Sequence, residues 1–149
     1  MKLARLFIPL LPILLLTSCV SAKKDNTEAW NKLQGRWKIE RALKAGKPVN
    51  MGVAYAEIRG DEMDRITTER VFRQRIRINA NAEPSSVDFE ILDDTDRGQI
   101  LLGIFKFDNE KLWFCHGPIG KPRPTTFVST PDDGNVIVVM RTLEQQDKP

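Results

Sequence analysis

Short runs in which apolar and polar side chains alternate dominate the chain after residue 35. The clearest run, VFRQRIRIN at residues 71–79, places Phe72, Ile76 and Ile78 on one face and three arginines on the other. Because successive side chains of a strand point to opposite faces, this period of two predicts a strand with one buried face. Nine runs of this kind are predicted as strands: residues 36–43, 53–59, 62–68, 71–79, 86–92, 100–107, 111–116, 125–129 and 135–143.

The arginine-bearing run is followed by SVDFEIL, whose polar face carries Asp88 and Glu90. If the two runs pair antiparallel, Arg75 and Arg77 lie opposite Glu90 and Asp88. Such cross-strand pairs of opposite charge contribute ~0.2–1 kcal/mol each. An arginine row also suits an anionic surface, but the acidic neighbour favours a self-neutralised outer face.

The connections between the runs are short and have the composition of turns. Gly-Asp at 60–61, Asp-Asn at 108–109 and Asp-Gly at 133–134 suit tight hairpins. Connections of this length leave no room for helical crossovers, so neighbouring strands are predicted to be antiparallel. The one predicted helix, residues 26–35, places Trp30 and Leu33 on the same side. The sequence therefore predicts an all-β, up-and-down barrel of eight or nine strands with a short N-terminal helix.

The N-terminus has the pattern of an export signal. Lys2 and Arg5 precede an apolar run at residues 6–16, which is shorter than the roughly 20 residues of a transmembrane helix. The run ends in Leu-Thr-Ser-Cys at 16–19, which resembles the lipobox of bacterial lipoproteins. The resemblance implies lipidation of Cys19 and anchoring in the cell envelope, at the outer membrane where the cell has one. An ordinary signal peptide is the alternative.

This interpretation divides the chain into four parts. Residues 1–18 are the predicted signal peptide, 19–29 the lipidated cysteine and tether, 30–143 the barrel, and 144–149 a loose tail. Of the 23 basic residues, Lys2 and Arg5 leave with the signal, so 21 basic and 20 acidic residues remain. This near balance gives no reason to expect nucleic-acid binding.

Several motifs then resemble one family. LQGRWKIERALKAGKPV (33–49) contains a G-x-W signature, and LLGIFKFDNEKLWFC (101–115), GKPRPTTF (120–127) and NVIVVMRTL (135–143) follow in order. Together they resemble the lipocalin-like domain of many uncharacterised bacterial secreted proteins. The resemblance implies a lipocalin-like barrel in which Arg141 of the last strand stacks on Trp37 of the first. The family has no established activity that the resemblance could imply for this chain.

The adjacent Cys115 and His116 are the first candidates for chemistry, because His116 is the only histidine. Neighbouring residues of a strand point to opposite faces, so they cannot form a nucleophile–base pair. A packed thiol beside a strand-end histidine is therefore predicted, with a redox-sensitive thiol as the alternative. After lipidation of Cys19, Cys115 has no disulfide partner. We expect no catalytic residues and no enzyme activity.

The next segment holds two basic side chains. Pro122 and Pro124 keep the backbone extended on both sides of Arg123. Bonding of Arg123 to nearby carbonyls is the favoured role, and an anion-binding loop formed by Lys121 and Arg123 is the alternative.

No pattern indicates a metal site or a cofactor. DDTDRG at 93–98 lacks the ligand spacing of a calcium loop, and zinc needs more Cys and His residues than the mature chain has. We therefore expect no metal and no cofactor.

The leading functional interpretation is non-enzymatic binding of a small apolar ligand in or at the mouth of the barrel. Six apolar residues are the candidates to line it: Phe72, Ile76, Phe89, Phe105, Phe107 and Phe114. The alternative is a filled barrel that binds an envelope protein partner. Ile100, Leu102 and Ile104 form an outward strip that must be covered by the helix or remain exposed for such a partner.

Overall fold

The computed structural model describes residues 26–93 and 95–143, and the predicted signal peptide, Cys19 and the tail at 144–149 lie outside these residues. The described chain folds into one helix followed by nine strands. Their bounds are α1 Asn26–Leu33, β1 Gly35–Lys44, β2 Lys47–Pro48, β3 Val53–Arg59, β4 Glu62–Thr67, β5 Val71–Asn79, β6 Ser86–Ile91, β7 Ile100–Asp108, β8 Lys111–His116 and β9 Val136–Thr142.

The strands form an antiparallel, up-and-down barrel. From β3 to β9 each strand pairs with the next along the chain, and β1 pairs with both β3 and β9. The β1–β9 pairing closes an eight-stranded barrel and leaves the two-residue β2 as an extra strand on β1. The predicted all-β barrel with a short N-terminal helix is confirmed.

The predicted register of the charged hairpin is also confirmed. Arg75 lies opposite Glu90, and Arg77 lies opposite Asp88. The Glu90 carboxylate is 3.0 Å from Arg77 Nη2 and 3.7 Å from Arg75 Nη1. Because these pairs are largely exposed, each contributes little to stability, and the arginine row is neutralised by its neighbouring strand.

Helix α1 closes one end of the barrel. Leu33 is fully buried, and its carbonyl accepts a 2.8 Å hydrogen bond from Trp37 Nε1. At the other end of α1, Asn26 Oδ1 accepts a 2.7 Å bond from the backbone N–H of Ala80. These bonds fix the helix to β1 and to the β5–β6 loop, so the inward faces of the strands pack against it.

The outer face carries a second, smaller apolar cluster. Ile104, Cys115, Ile137 and Val139 are buried there although they point away from the barrel interior. The β8–β9 connection, residues 117–135 and here called the crossing segment, covers them with Phe127. The outward strip of β7 is therefore covered in part, by the crossing segment rather than by the helix.

The strand predicted at residues 125–129 is wrong, because this part of the crossing segment forms no strand. Instead of pairing with a strand, this part of the chain packs Phe127 against the outer apolar cluster. The Asp-Gly pair at 133–134 consequently forms a turn within the segment and not a hairpin. The Asp133 carboxylate accepts bonds from the N–H groups of Thr130 and Asn135.

Candidate ligand-binding site in the barrel interior

A cavity lies inside the barrel toward the end opposite α1, here called the distal end. At the distal end, strands β1, β4, β6 and β8 finish and strands β3, β5, β7 and β9 begin. The cavity measures about 40 Å³, which is room for about three water molecules. In this conformation it is therefore smaller than a ligand, and an occupant must displace side chains.

The apolar wall of the cavity contains side chains that can move. Met51, Met63 and Met140 all line it, and unbranched methionines adapt their shape at low cost. Phe89 and Phe114 form the more rigid part, with ring centroids 5.2 Å apart in an edge-to-face contact. The wall can thus enlarge around an apolar group.

Arg65 of β4 brings a positive charge to this cavity. Its Nε is buried without a hydrogen-bond partner, and its guanidinium carbon lies 5.3 Å from the centre of the Phe72 ring. Burial, and next the charge of Arg70, lower the pKa of Arg65. An arginine nevertheless stays protonated. Among the described residues, no carboxylate lies within ion-pair distance of Arg65.

Gln74 of β5 lies beside Arg65 on the same wall. Its side chain is only 3% exposed, and it is the one buried polar residue among the described positions. Gln74 pairs with Met63 and Arg65 with Phe72, so Gln74 and Arg65 are diagonal neighbours on adjacent strands. Both side chains line the cavity.

His116 enters the cavity from the opposite wall. Its Nδ1 is 3.0 Å from the carbonyl oxygen of Gly117, which indicates the tautomer that donates from Nδ1 and leaves Nε2 as an acceptor. Burial lowers the pKa of His116, and the charges of Arg65 and Lys44 lower it further. The imidazole is therefore neutral at neutral pH.

A glycine makes room for this imidazole. Gly103 lies opposite His116 on β7. A Cβ at position 103 would be 2.9 Å from the carbonyl oxygen of Cys115 and 3.1 Å from His116 Cβ. An alanine at this position would therefore displace the histidine.

Cys115 points the other way, as its position next to His116 predicts. It is fully buried beneath the crossing segment, with Sγ 3.7 Å from the carbonyl oxygen of Thr126. Burial raises the pKa of the thiol to about 11, and the charge of Asp133 adds to this. A neutral thiol on the outer side of the wall cannot act with an imidazole on the inner side.

The six predicted ligand-lining residues lie in three places. Phe89 and Phe114 line the cavity. Ile76, Phe105 and Phe107 belong to the core near α1 and not to this cavity, and Phe105 and Phe107 also border the outer groove described below. Phe72 lies between the guanidinium groups of Arg65 and Arg70.

The other lining residues carry weaker signals in the sequence. Met63 and Arg65 are two positions apart in the alternating sequence of β4, so the sequence alone indicates that they share one face of the strand. Met51, by contrast, lies in a connection without periodicity.

The structure does not bring Arg141 and Trp37 together. Arg141 pairs in register with Lys38 on the outer face, and its Nε is 3.3 Å from the Glu40 carboxylate. Trp37 is buried in the interior and donates to Leu33 instead. The stacking implied by the resemblance fails here because the two side chains lie on opposite faces of the wall.

Arg123 is engaged by the barrel wall, whereas Lys121 is exposed on the crossing segment. Arg123 Nη1 donates to the carbonyl oxygens of Val87 at 3.0 Å and Gly103 at 2.6 Å. Its Nη2 is 2.7 Å from the Asp88 carboxylate. This geometry favours the structural role and leaves little of the guanidinium for an anion.

A second concavity lies on the outside, between α1, the β5–β6 loop and β7. It is an open groove of about 450 Å³ whose rim carries Glu28, Lys32, Glu83 and Lys106. Because both signs of charge surround it, the groove has no electrostatic preference for one kind of ligand.

Two kinds of feature are absent from residues 26–93 and 95–143. No group of three or more His, Cys, Asp and Glu residues in them is arranged to hold a metal ion. No helix in them has the length and apolarity needed to cross a membrane.

Comparison with known proteins yields no relative: no family model, curated protein or solved structure matches this chain.

Proposed function

We propose that this chain is a lipid-anchored, lipocalin-like envelope protein that binds a small apolar molecule inside the distal end of its barrel, without catalysis. One observation carries the proposal. The interior is closed by α1 at one end, and at the other it keeps a cavity bordered by three methionines. A wall of this kind can open for an apolar guest with little rearrangement of the backbone.

Two further observations support binding over the alternatives. The only described thiol and the only histidine lie on opposite sides of the barrel wall, which argues against a Cys/His enzyme. Ile104 and Cys115 on the outer wall are fully buried under the crossing segment. The apolar strip that would have favoured a protein partner is therefore covered at Ile104, whereas Ile100 stays exposed.

The anchoring part of the proposal rests on the sequence. The lipobox-like residues 16–19 precede α1 by only a few residues, so lipidation of Cys19 would hold the whole barrel close to a membrane that contains apolar molecules. A membrane extract of the host is accordingly the first source of candidate ligands.

The test is native mass spectrometry of a chain that begins at residue 24, incubated with host lipid extract. That chain retains every residue that the structure describes, because the first of them is Asn26. We expect an added mass that disappears on denaturation. A bare monomer would contradict ligand binding and favour the protein-partner alternative.

A matched pair of variants locates the site. Ala56 is 1% exposed and lines the cavity, so Ala56→Val fills space that the ligand needs. Ala54 lies exposed on the same strand and does not line the cavity, so Ala54→Val makes the same chemical change at a solvent-exposed position. We expect the first variant to lose the added mass and the second to keep it. Equal retention by both would place the ligand elsewhere.

A further inference from the structure

The interior of the barrel carries a positive charge that the described chain does not neutralise. Arg65 lines the cavity, its Nε is buried without an acceptor, and no described carboxylate pairs with it. Among the described residues, its guanidinium contacts the face of Phe72, which supplies only a weak attraction. A partly buried cation without a carboxylate partner costs free energy, so an anion that enters the cavity gains a partner already in place.

Two further polar side chains face the same space. The Gln74 amide is almost fully buried and makes no hydrogen bond with the described residues. Its NH₂ group is therefore available to an incoming acceptor, and it lies on the strand next to Arg65.

The wall opposite Arg65 presents a hydrogen-bond acceptor. β8 is four strands away from β4 around an eight-stranded barrel, so His116 faces Arg65 across the interior. With Nδ1 directed to Gly117, Nε2 accepts a hydrogen bond from a hydroxyl group or a bridging water molecule. The cavity thus offers one cation, one amide donor and one neutral acceptor.

The number of charges selects the anion. Besides Arg65, the polar groups that line the cavity are neutral, because Gln74 carries no charge and burial keeps His116 unprotonated. One fixed positive charge suits a headgroup with one negative charge, and a guanidinium matches the two oxygens of a carboxylate. Among the side chains that line the cavity, a doubly charged phosphate would find a cation for only one of its two charges.

We propose that the barrel selects a small acid, with its carboxylate at Arg65 and Gln74 and its apolar body among the methionines. This inference deepens the proposed function and rests on it. The present cavity of about 40 Å³ accommodates the headgroup, and displacement of Met51, Met63 or Met140 makes room for the body.

The test compares acids with neutral molecules of the same chain length. Hexanoate, decanoate and palmitate are titrated against hexanol, decanol and hexadecanol by calorimetry, with the chain that begins at residue 24. We expect the best acid to bind about ten- to a hundredfold more tightly than its alcohol, as for hydrogen bonds to charged groups. Equal affinities would overturn the headgroup inference and leave the proposed function standing.

Variants assign the preference to its residue. Arg65→Met keeps a long side chain but removes the charge, so the acid should lose its advantage while the alcohol still binds. Arg65→Lys should restore part of the advantage. Arg77→Met is the control, because Arg77 points outward on β5 and is 60% exposed. A preference that survives in Arg65→Met would overturn the assignment, as would its loss in Arg77→Met.

A second readout does not depend on variants. The Arg65 Nε–H signal in an ¹H–¹⁵N spectrum should shift on addition of decanoate and stay in place with decanol. If neither acids nor alcohols bind, the headgroup inference is overturned, and the native mass measurement with lipid extract then decides the proposed function separately.

Discussion

The two ends of the barrel are built from the same strands but differ in what fills them. At the α1 end, Leu33, Ile76 and Leu112 are fully buried, and Trp37 has its hydrogen bond. At the distal end, a void remains, and Arg65 Nε lies buried without a partner. Close packing with satisfied polar groups stabilises a fold, so the α1 end contributes most of the stability.

The difference indicates where function has been placed. Functional sites tolerate unpaired charge and empty space that a purely structural core would eliminate. The distal end shows both features within one interior cavity, whereas at the α1 end the concavity is an open outer groove and the buried Trp37 has its hydrogen bond. The contrast between the ends, more than any one residue, therefore points to the distal interior.

The largest effect is expected when the same change, leucine to alanine, is made at each end of the barrel. Leu33→Ala should lower the free energy of unfolding by ~2–5 kcal/mol, because Leu33 is fully buried under the barrel. Leu101→Ala should cost less than ~2 kcal/mol, because Leu101 is half-buried and borders an existing cavity. Urea unfolding measures both values, and equal costs would contradict the comparison.

Arg65→Met should change the free energy of unfolding in the opposite direction, toward greater stability. Removing a partly buried charge without a carboxylate partner should raise the free energy of unfolding by at most about 0.5–2 kcal/mol, because the lost contact with Phe72 offsets part of the gain. Arg77→Met, on the outer face, should change it by at most ~0.5 kcal/mol. Thermal unfolding without ligand measures both. A clear loss of stability in Arg65→Met would indicate that Arg65 has a structural partner.

The smallest effect is a pH dependence of stability. His116 is the only histidine, and burial holds its folded-state pKa below the usual 6.5. Between the two pKa values the unfolded chain binds more protons, so the free energy of unfolding falls as the pH drops below about 6.5. The slope is at most about 1.4 kcal/mol per pH unit.

The variant His116→Gln isolates this contribution. Carboxylates titrate over part of the same range, so the quantity to measure is the difference between the two pH profiles from urea unfolding. We expect the variant profile to be flatter between pH 5 and 7. Parallel profiles would show that His116 has the same pKa in both states.

The fold was largely predictable because its strands alternate clearly. The period of two in VFRQRIRIN and SVDFEIL fixed which face is buried, and the short turns fixed antiparallel pairing. The strand expected at 125–129 was wrong because local composition does not reveal that this segment packs across the outer apolar cluster instead of pairing with a strand. Barrel closure depends on residues far apart in sequence.

The candidate site was less predictable for a related reason. Phe89 and Phe114 were expected to line an interior, and they line the cavity. Arg65 was overlooked because a charged residue beside Met63 in a strand suggests an outer face. Arg141 was placed on Trp37 by resemblance, whereas the β1–β9 register directs it outward. Which face an arginine takes is decided by the register of the whole barrel.

Closure of the barrel also has a consequence for the order of folding. The β1–β9 bonds join Trp37 to Thr142, close to the two ends of the described chain. Contacts so distant in sequence form late, because a long loop must first be closed. A chain made from its N-terminus receives β9 last, and until then β1 and β8 are unpaired edges that can bind strands of other chains. Protection against aggregation therefore belongs to the finished barrel, and each new molecule passes through a period without it.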